Sequence, residues 1–152
     1  MLDANRAAGM SSRQMKAYPG SGITIDRGFG SGVIGILKEQ ELDAHGVHWG
    51  QAARDNKTYL NAKAEDFWTL REALRKGEVA SAPLGDLEDE LMDDLAGTYF
   101  EETSAGKIKI EKKELTRERL KRSPDCGDAA VFGFRQLPKP PKKHKVRTTS
   151  NW

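Results

Sequence analysis

Cysteine is almost absent: Cys126 is the only one in 152 residues. One thiol excludes an intramolecular disulfide. His45, His48 and His144 have no cysteine partners at ligand spacing, which excludes a Cys/His zinc site. Long apolar runs are missing too, and none approaches the ~20 residues that a membrane-spanning helix needs. The opening segment, MLDANRAAGMSSRQMKAY, lacks the apolar centre of a secretory signal. The nucleotide loop G-x-x-x-x-G-K-[ST] does not occur, since SAGKI lacks both the earlier glycine and the hydroxyl residue. A soluble intracellular chain without its own ATPase loop is expected.

Charge is missing by region. Residues 77–106 contain no Lys or Arg, and residues 129–152 contain six Lys/Arg and no acid. The formal net charge of +2 therefore hides a mildly acidic body and a basic tail, which suits either an anionic partner or a solvated extension. The length fits one domain with a real core and is short for two.

What is present reads as an αβ alternation. Residues 3–17 form an amphipathic helical pattern closed by Pro19-Gly20. Ile23–Asp26 reads as a short strand, the glycines after it as a tight strand-to-helix turn, Gly32–Gln40 as a helix, and Gly46–Gly50 as a second strand. If the strands are parallel, the helix between them is the crossover. Asn61 to Lys76 is the clearest helix: Asn61 is a suitable N-cap, acids open it, Arg75 and Lys76 close it, and Gly77 stops it. A further helix spans about Asp86–Ala96, its acidic face read as solvated. TYFEETSAGKIKIEKK reads as a hairpin around Ser104-Ala105-Gly106. Its Lys107, Lys109, Lys112 and Lys113 suit phosphate contacts, or equally the wet face of an edge hairpin. The last helix runs from Ser123 to about Phe134, and the Pro- and Lys-rich tail has the composition of a disordered arm.

The segment ITIDRGFGSGVIGIL poses the chemical question. Gly30, Gly32 and Gly35 spell G-x-G-x-x-G, the dinucleotide-binding pattern. Yet Asp26 ends the strand immediately before them, and a carboxylate there repels a pyrophosphate. The acid expected about 20 residues later is not cleanly supplied. Beside a metal the same carboxylate would make phosphate welcome, but that requires a second one. KRSPDCGDAAVFGF provides it: Ser123 is a suitable N-cap, Pro124 suits the first helical position, and Asp125 and Asp128 lie three residues apart on one face. An ordinary helix start explains Asp125 alone. Two carboxylates at the mouth of a buried helix repel unless a cation or base offsets them.

In their order, the Asp26 segment with Gly28, Gly30 and Gly32, the helix start with Asn61, Ala64 and Glu65, and Ser123-Pro124-Asp125 with Asp128-Ala129 resemble the C-terminal nuclease domain of tailed-phage terminase large subunits. Lys63 stands where that family usually has arginine. The resemblance covers roughly residues 20–134, with a helical segment (1–19) before it and a basic tail (135–152) after it. It implies an α/β, RNase H-like mixed sheet with flanking helices. It further implies a metal-dependent endonuclease acting on concatemeric double-stranded DNA during genome packaging in the host cytoplasm.

In that resemblance Asp26 and Asp125 are metal ligands, and Asp128 is a ligand or supports one. Glu65 is left as a packing or salt-bridge residue. All-carboxylate ligation suits Mg2+ or Mn2+, as a two-ion site with ions ~3.5–4 Å apart. The family's first catalytic aspartate lies on an earlier strand, for which nothing before Asp26 is suited. The expectation is an N-terminally truncated domain, from a split gene, a degraded prophage or an incomplete frame, with weak or no cleavage alone. Expected partners are DNA, a separately encoded N-terminal fragment, the portal and the small terminase subunit. The alternatives are a non-catalytic DNA- or portal-binding module and, more remotely, a nucleotide-binding unit.

Overall fold

The computed structural model describes residues 3–80 and 83–135; the tail lies outside them, and so does its expected disorder. The chain order is α1 (Ala4–Ala17), β1 (Ile23–Asp26), α2 (Arg27–Glu39), β2 (Ala44–Val47), α3 (Ala62–Arg75), α4 (Leu87–Gly97), β3 (Phe100–Glu102), β4 (Ile108–Ile110), α5 (Lys113–Leu120) and α6 (Asp125–Phe134). No helix among the described residues is long and apolar enough to cross a membrane.

β1 and β2 pair in parallel, Ile23 opposite Ala44 and Asp26 opposite Val47, with α2 as the crossover. Ala8, Leu37 and Ala44 are buried at the centre, and Ile23, Ile25, Val33, Ile36 and Leu42 pack around them. This joins α1, α2 and the strand pair through one apolar cluster. β2 lies earlier than the expected Gly46–Gly50. The reason is that residues 49–51 serve α3 instead: the carbonyls of Trp49 and Gln51 accept from the Lys63 and Ala62 amides, at 3.2 and 2.9 Å.

The glycine segment differs most from its sequence reading. It is not a turn: α2 begins at Arg27, directly after Asp26, and Gly28, Gly30, Gly32 and Gly35 are all helical. None of the four has a positive φ. The Asp26 carboxylate accepts from the Gly28 amide at 2.8 Å, so capping starts the helix before the glycines are reached. Gly30 then allows close approach, because a Cβ there would lie 2.1 Å from Cγ2 of Ile25.

In the second half, α3 begins as its sequence suggests. Asn61 Oδ1 accepts from the Ala64 amide at 3.0 Å, and Gly77, at φ +70°, ends the helix region. The hairpin β3–β4 is antiparallel, with Phe100 opposite Ile110. Its outer edge is covered, since Ile108 exchanges backbone hydrogen bonds with Thr58 and Leu60, each at 2.8 Å. The sheets are thus two two-stranded units among the described residues, smaller than the mixed sheet expected. Helix α5 went unforeseen, because KELTRERL carries few apolar residues to mark a period.

α4 is not wholly solvated on its acidic face. Asp94 is fully buried, where it accepts from Arg122 and, at 2.9 Å, from the Gly127 amide. A Cβ on Gly127 would lie 2.8 Å from Asp94 Cβ, so glycine is what lets α6 approach α4.

Candidate functional site

The first turn of α6 carries Asp125 and Asp128, and the first residue of α5 carries Lys113. The Lys113 ammonium donates to Asp128 Oδ2 at 2.8 Å and to Asp125 Oδ1 at 3.3 Å. This is the offsetting base that two adjacent carboxylates require. The hairpin lysines therefore have different fates. Lys113 is engaged by the acids, Lys109 pairs with Glu101 at 2.7 Å, and Lys112 sits at the N-cap position of α5.

The two acids are not equivalent. The Asp125 side chain is 74% exposed and that of Asp128 only 14%. Ser123 is not the N-cap; Pro124 holds that position and makes no side-chain capping bond. The Ser123 hydroxyl donates instead to Asp125 Oδ1, at 2.6 Å. That bond, with help from Lys113 and against partial burial, holds the Asp125 carboxyl below its usual pKa. Lys113 is half-buried, which alone would lower its pKa. The hydrogen bonds and charges of Asp128 and Asp125 outweigh that and raise it. Asp128 Oδ1 is buried and has no hydrogen-bond partner.

A second lysine lies beneath. Lys63, from α3, places its ammonium 5.0 Å from the Trp49 ring and 5.4 Å from that of Phe67. Burial lowers its pKa, and the Asp128 charge is the leading influence opposing this. Trp49 stacks on Phe132 of α6, with centroids 4.0 Å apart and planes at 6°. An aromatic floor thus joins the loop after β2 to the helix bearing both acids.

Asp26 reaches this region through its element, since β1 packs against α6. Its carboxylate bonds to the Gly28 amide, and among the described residues no hydrogen bond or ion pair links it to Asp125, Asp128 or Lys113. Among the described residues no hydrogen bond or ion pair links Glu65 to these acids. It accepts from the Arg54 and Asp55 amides at 2.8 and 3.2 Å and pins the loop before α3, as its packing assignment implied.

Sequence reasoning missed Lys113 as a partner of the acids, Lys63 as a half-buried cation, and Asp94 as the anchor of α6. The signals were faint. Lys113 sits in a row of hairpin lysines, and Asp94 in a run of acids. A second group of ligand-type atoms, from Glu90, Asp94 and Cys126, lies within 4.8 Å of one another. Arg122 bonds to both acids there, so the group is already neutralised.

The carboxylates of α6 fit a hard divalent cation by their chemistry. They are oxygen donors already gathered around one positive charge, and one of them has a buried oxygen to spare.

No protein-family model matches the sequence, and comparison with curated proteins found no relative. Solved structures do match. The nuclease domain of the large terminase subunit gp2 of bacterial virus Sf6 is similar at a TM-score of 0.71 and 16% identity, over 90% of this chain and 74% of that one. A lysine-to-alanine variant of the same domain solved with manganese matches at 0.71, 16% identity, and 90% and 75% coverage. A variant solved with calcium matches at 0.70, 16% identity, and 90% and 74% coverage. The chain has the fold of a phage terminase nuclease domain, which is RNase H-like.

Proposed function

We propose that this chain is a metal-dependent endonuclease domain of a viral DNA-packaging terminase, hydrolysing phosphodiester bonds in concatemeric double-stranded DNA. The observation that carries the reading is the convergence of Asp125 and Asp128 on Lys113, with Asp128 Oδ1 left buried and unpaired. An acid pair held around a cation, in a fold shared with a nuclease domain solved with manganese and calcium, is the arrangement this chemistry needs. Asp125 and Asp128, with Asp26 from the adjoining strand, would hold Mg2+ or Mn2+. The bound cation would supply charge neutralisation at the phosphate and a more acidic water.

The chain's own residues prepare the site for that role. Ser123 and Lys113 keep Asp125 ionised and fix its rotamer. Lys113 also keeps two neighbouring negative charges together where they would otherwise push apart. Capping leaves Asp26 Oδ2 as its freer oxygen, since Oδ1 is taken by Gly28. The Lys63 ammonium adds positive potential under Asp128, favouring a polyanionic substrate. The portal and the small terminase subunit are proposed as partners of the assembled machine.

Supercoiled plasmid incubated with Mn2+ should be nicked weakly or not at all by this chain alone, and more readily once a terminase fragment carrying the preceding strand is added. Asp125→Ala should abolish the nicking. Salt-sensitive DNA binding without metal-dependent nicking, even after adding a terminase fragment carrying the preceding strand, would instead identify a non-catalytic binding module.

A further inference from the structure

Helices α3, α4 and α6 leave an apolar groove of about 600 Å³, lined by Leu70, Leu74, Leu91, Met92, Leu95 and Phe134. Its walls are open: Met92 is 61% and Leu74 45% exposed. Its α4 side is strongly acidic, because α4 and its flanks lie within residues 77–106, which carry nine acids and no Lys or Arg. Exposed acids such as Glu88, Asp89 and Asp93 stand on α4 beside the apolar positions. On the facing α3 wall Arg71 and Arg75 are both paired with Glu72, so the acids of α4 are the uncompensated charge, and the trough fits a segment with apolar anchors and positive charge.

The chain contains such a segment, and it starts at the groove. Phe134 is a lining residue, and the next residue, Arg135, is held by an ion pair with the buried Asp66. The following 17 residues, QLPKPPKKHKVRTTSNW, carry five Lys/Arg and no acid, with Leu137, Val146 and Trp152 as apolar side chains. At up to ~3.3 Å per residue the segment is far longer than the groove requires. Tethering at Arg135 also raises its local concentration to about the millimolar range, so weak contacts suffice.

We infer that residues 136–152 dock in the α3–α4–α6 groove of their own chain, covering its apolar walls and neutralising the α4 rim. The segment would then be withheld from other polyanions until they compete for its lysines. This inference is independent of the carboxylate site.

The test is paramagnetic relaxation in the full chain, with a nitroxide on Ser150→Cys in a Cys126→Ala background and 13C-methyl methionine. In low salt the Met92 methyl should relax at least twice as fast as that of Met10 on α1. Half-molar NaCl should remove most of the difference, and so should replacing Lys142, Lys143 and Lys145 with Ser. Equal relaxation of Met92 and Met10 in low salt overturns the inference. So does broadening of Met92 in enriched, unlabelled chains mixed with spin-labelled ones, which would assign the groove to a second copy. If the Cys126 variant fails to fold, the otherwise unmodified chain gives the same answer. The triple-Ser substitution should move the Met92 methyl shift and leave Met10 and Met15 in place; an unmoved Met92 rejects docking.

Discussion

Lys113 Nζ lies 2.8 Å from Asp128 Oδ2, and the same ammonium bridges to Asp125. A cation thus occupies the point where the two carboxylates converge, and it belongs to the protein. Any divalent ion binding these acids must compete with it for the same lone pairs.

Lys113→Ala should therefore have opposite effects with and without metal. Without metal, two neighbouring acids lose their counter-charge, and stability should fall by about 1 kcal/mol, since the pair is partly solvated. With Mn2+ the variant should bind more tightly than the parent and recover its melting temperature. Calorimetric titration and melting curves with and without Mn2+ check both signs. A variant whose stability ignores the metal would remove Lys113 from the site.

The glycines of α2 offer a second contrast. Gly30→Ala should destabilise by about 1–3 kcal/mol despite alanine's better helix propensity, because its methyl would enter the space of Ile25. Gly35→Ala meets nothing within 4 Å and should stabilise by up to about 1 kcal/mol. Urea denaturation of both variants tests whether these glycines serve packing. Equal effects would argue for some other role.

Glu111 predicts an acid transition. Its carboxylate is buried and accepts from Arg119 at 2.6 and 2.8 Å, from Thr116 at 2.9 Å and from the Tyr99 amide at 2.9 Å. The Arg119 hydrogen bonds dominate, outweigh burial, and lower its pKa from 4.5 to about 2. A depressed folded pKa means that stability is fully present above the unfolded value, near 4.5, and is lost as pH falls towards 2. The linkage corresponds to roughly 3–3.5 kcal/mol. Glu111→Gln should cost a comparable amount at pH 7 and little near pH 2, as read from denaturation midpoints across that range.

Asp94→Ala should be among the most damaging substitutions in the second half. It removes the acceptor for the Gly127 amide and the buried partner of Arg122, at an expected cost of about 3 kcal/mol or more. Where the fold survives, the first turn of α6 should loosen. Exchange of the Gly127 amide should then rise at least tenfold over the parent.

Much of this was legible in the sequence because it depends on near neighbours. Asn61 caps α3 three residues on, Gly77 ends that region with a left-handed backbone, and Ile23–Asp26 alternates with a helix long enough to make the strands parallel. Asp26 at a strand end and the Asp125/Asp128 spacing likewise needed only local geometry. Where local signals misled, a competing local interaction had won. The glycines read as a turn until the Asp26 cap began the helix first, and Ser123 read as a cap until its hydroxyl turned to Asp125.

The sequence by itself determined most of the element types, though not α5 or the start of α2, together with the two acids on one helical face and the asymmetry of charge, since these follow from order and period along the chain. Only the tertiary structure decided which charges meet. Lys113 on Asp128 is a contact across 15 residues, Arg122 on Asp94 one across 28, and Arg135 on Asp66 one across 69. Such pairings depend on which helices pack together, and one lysine in a row of lysines carries no local mark of the carboxylate it will find.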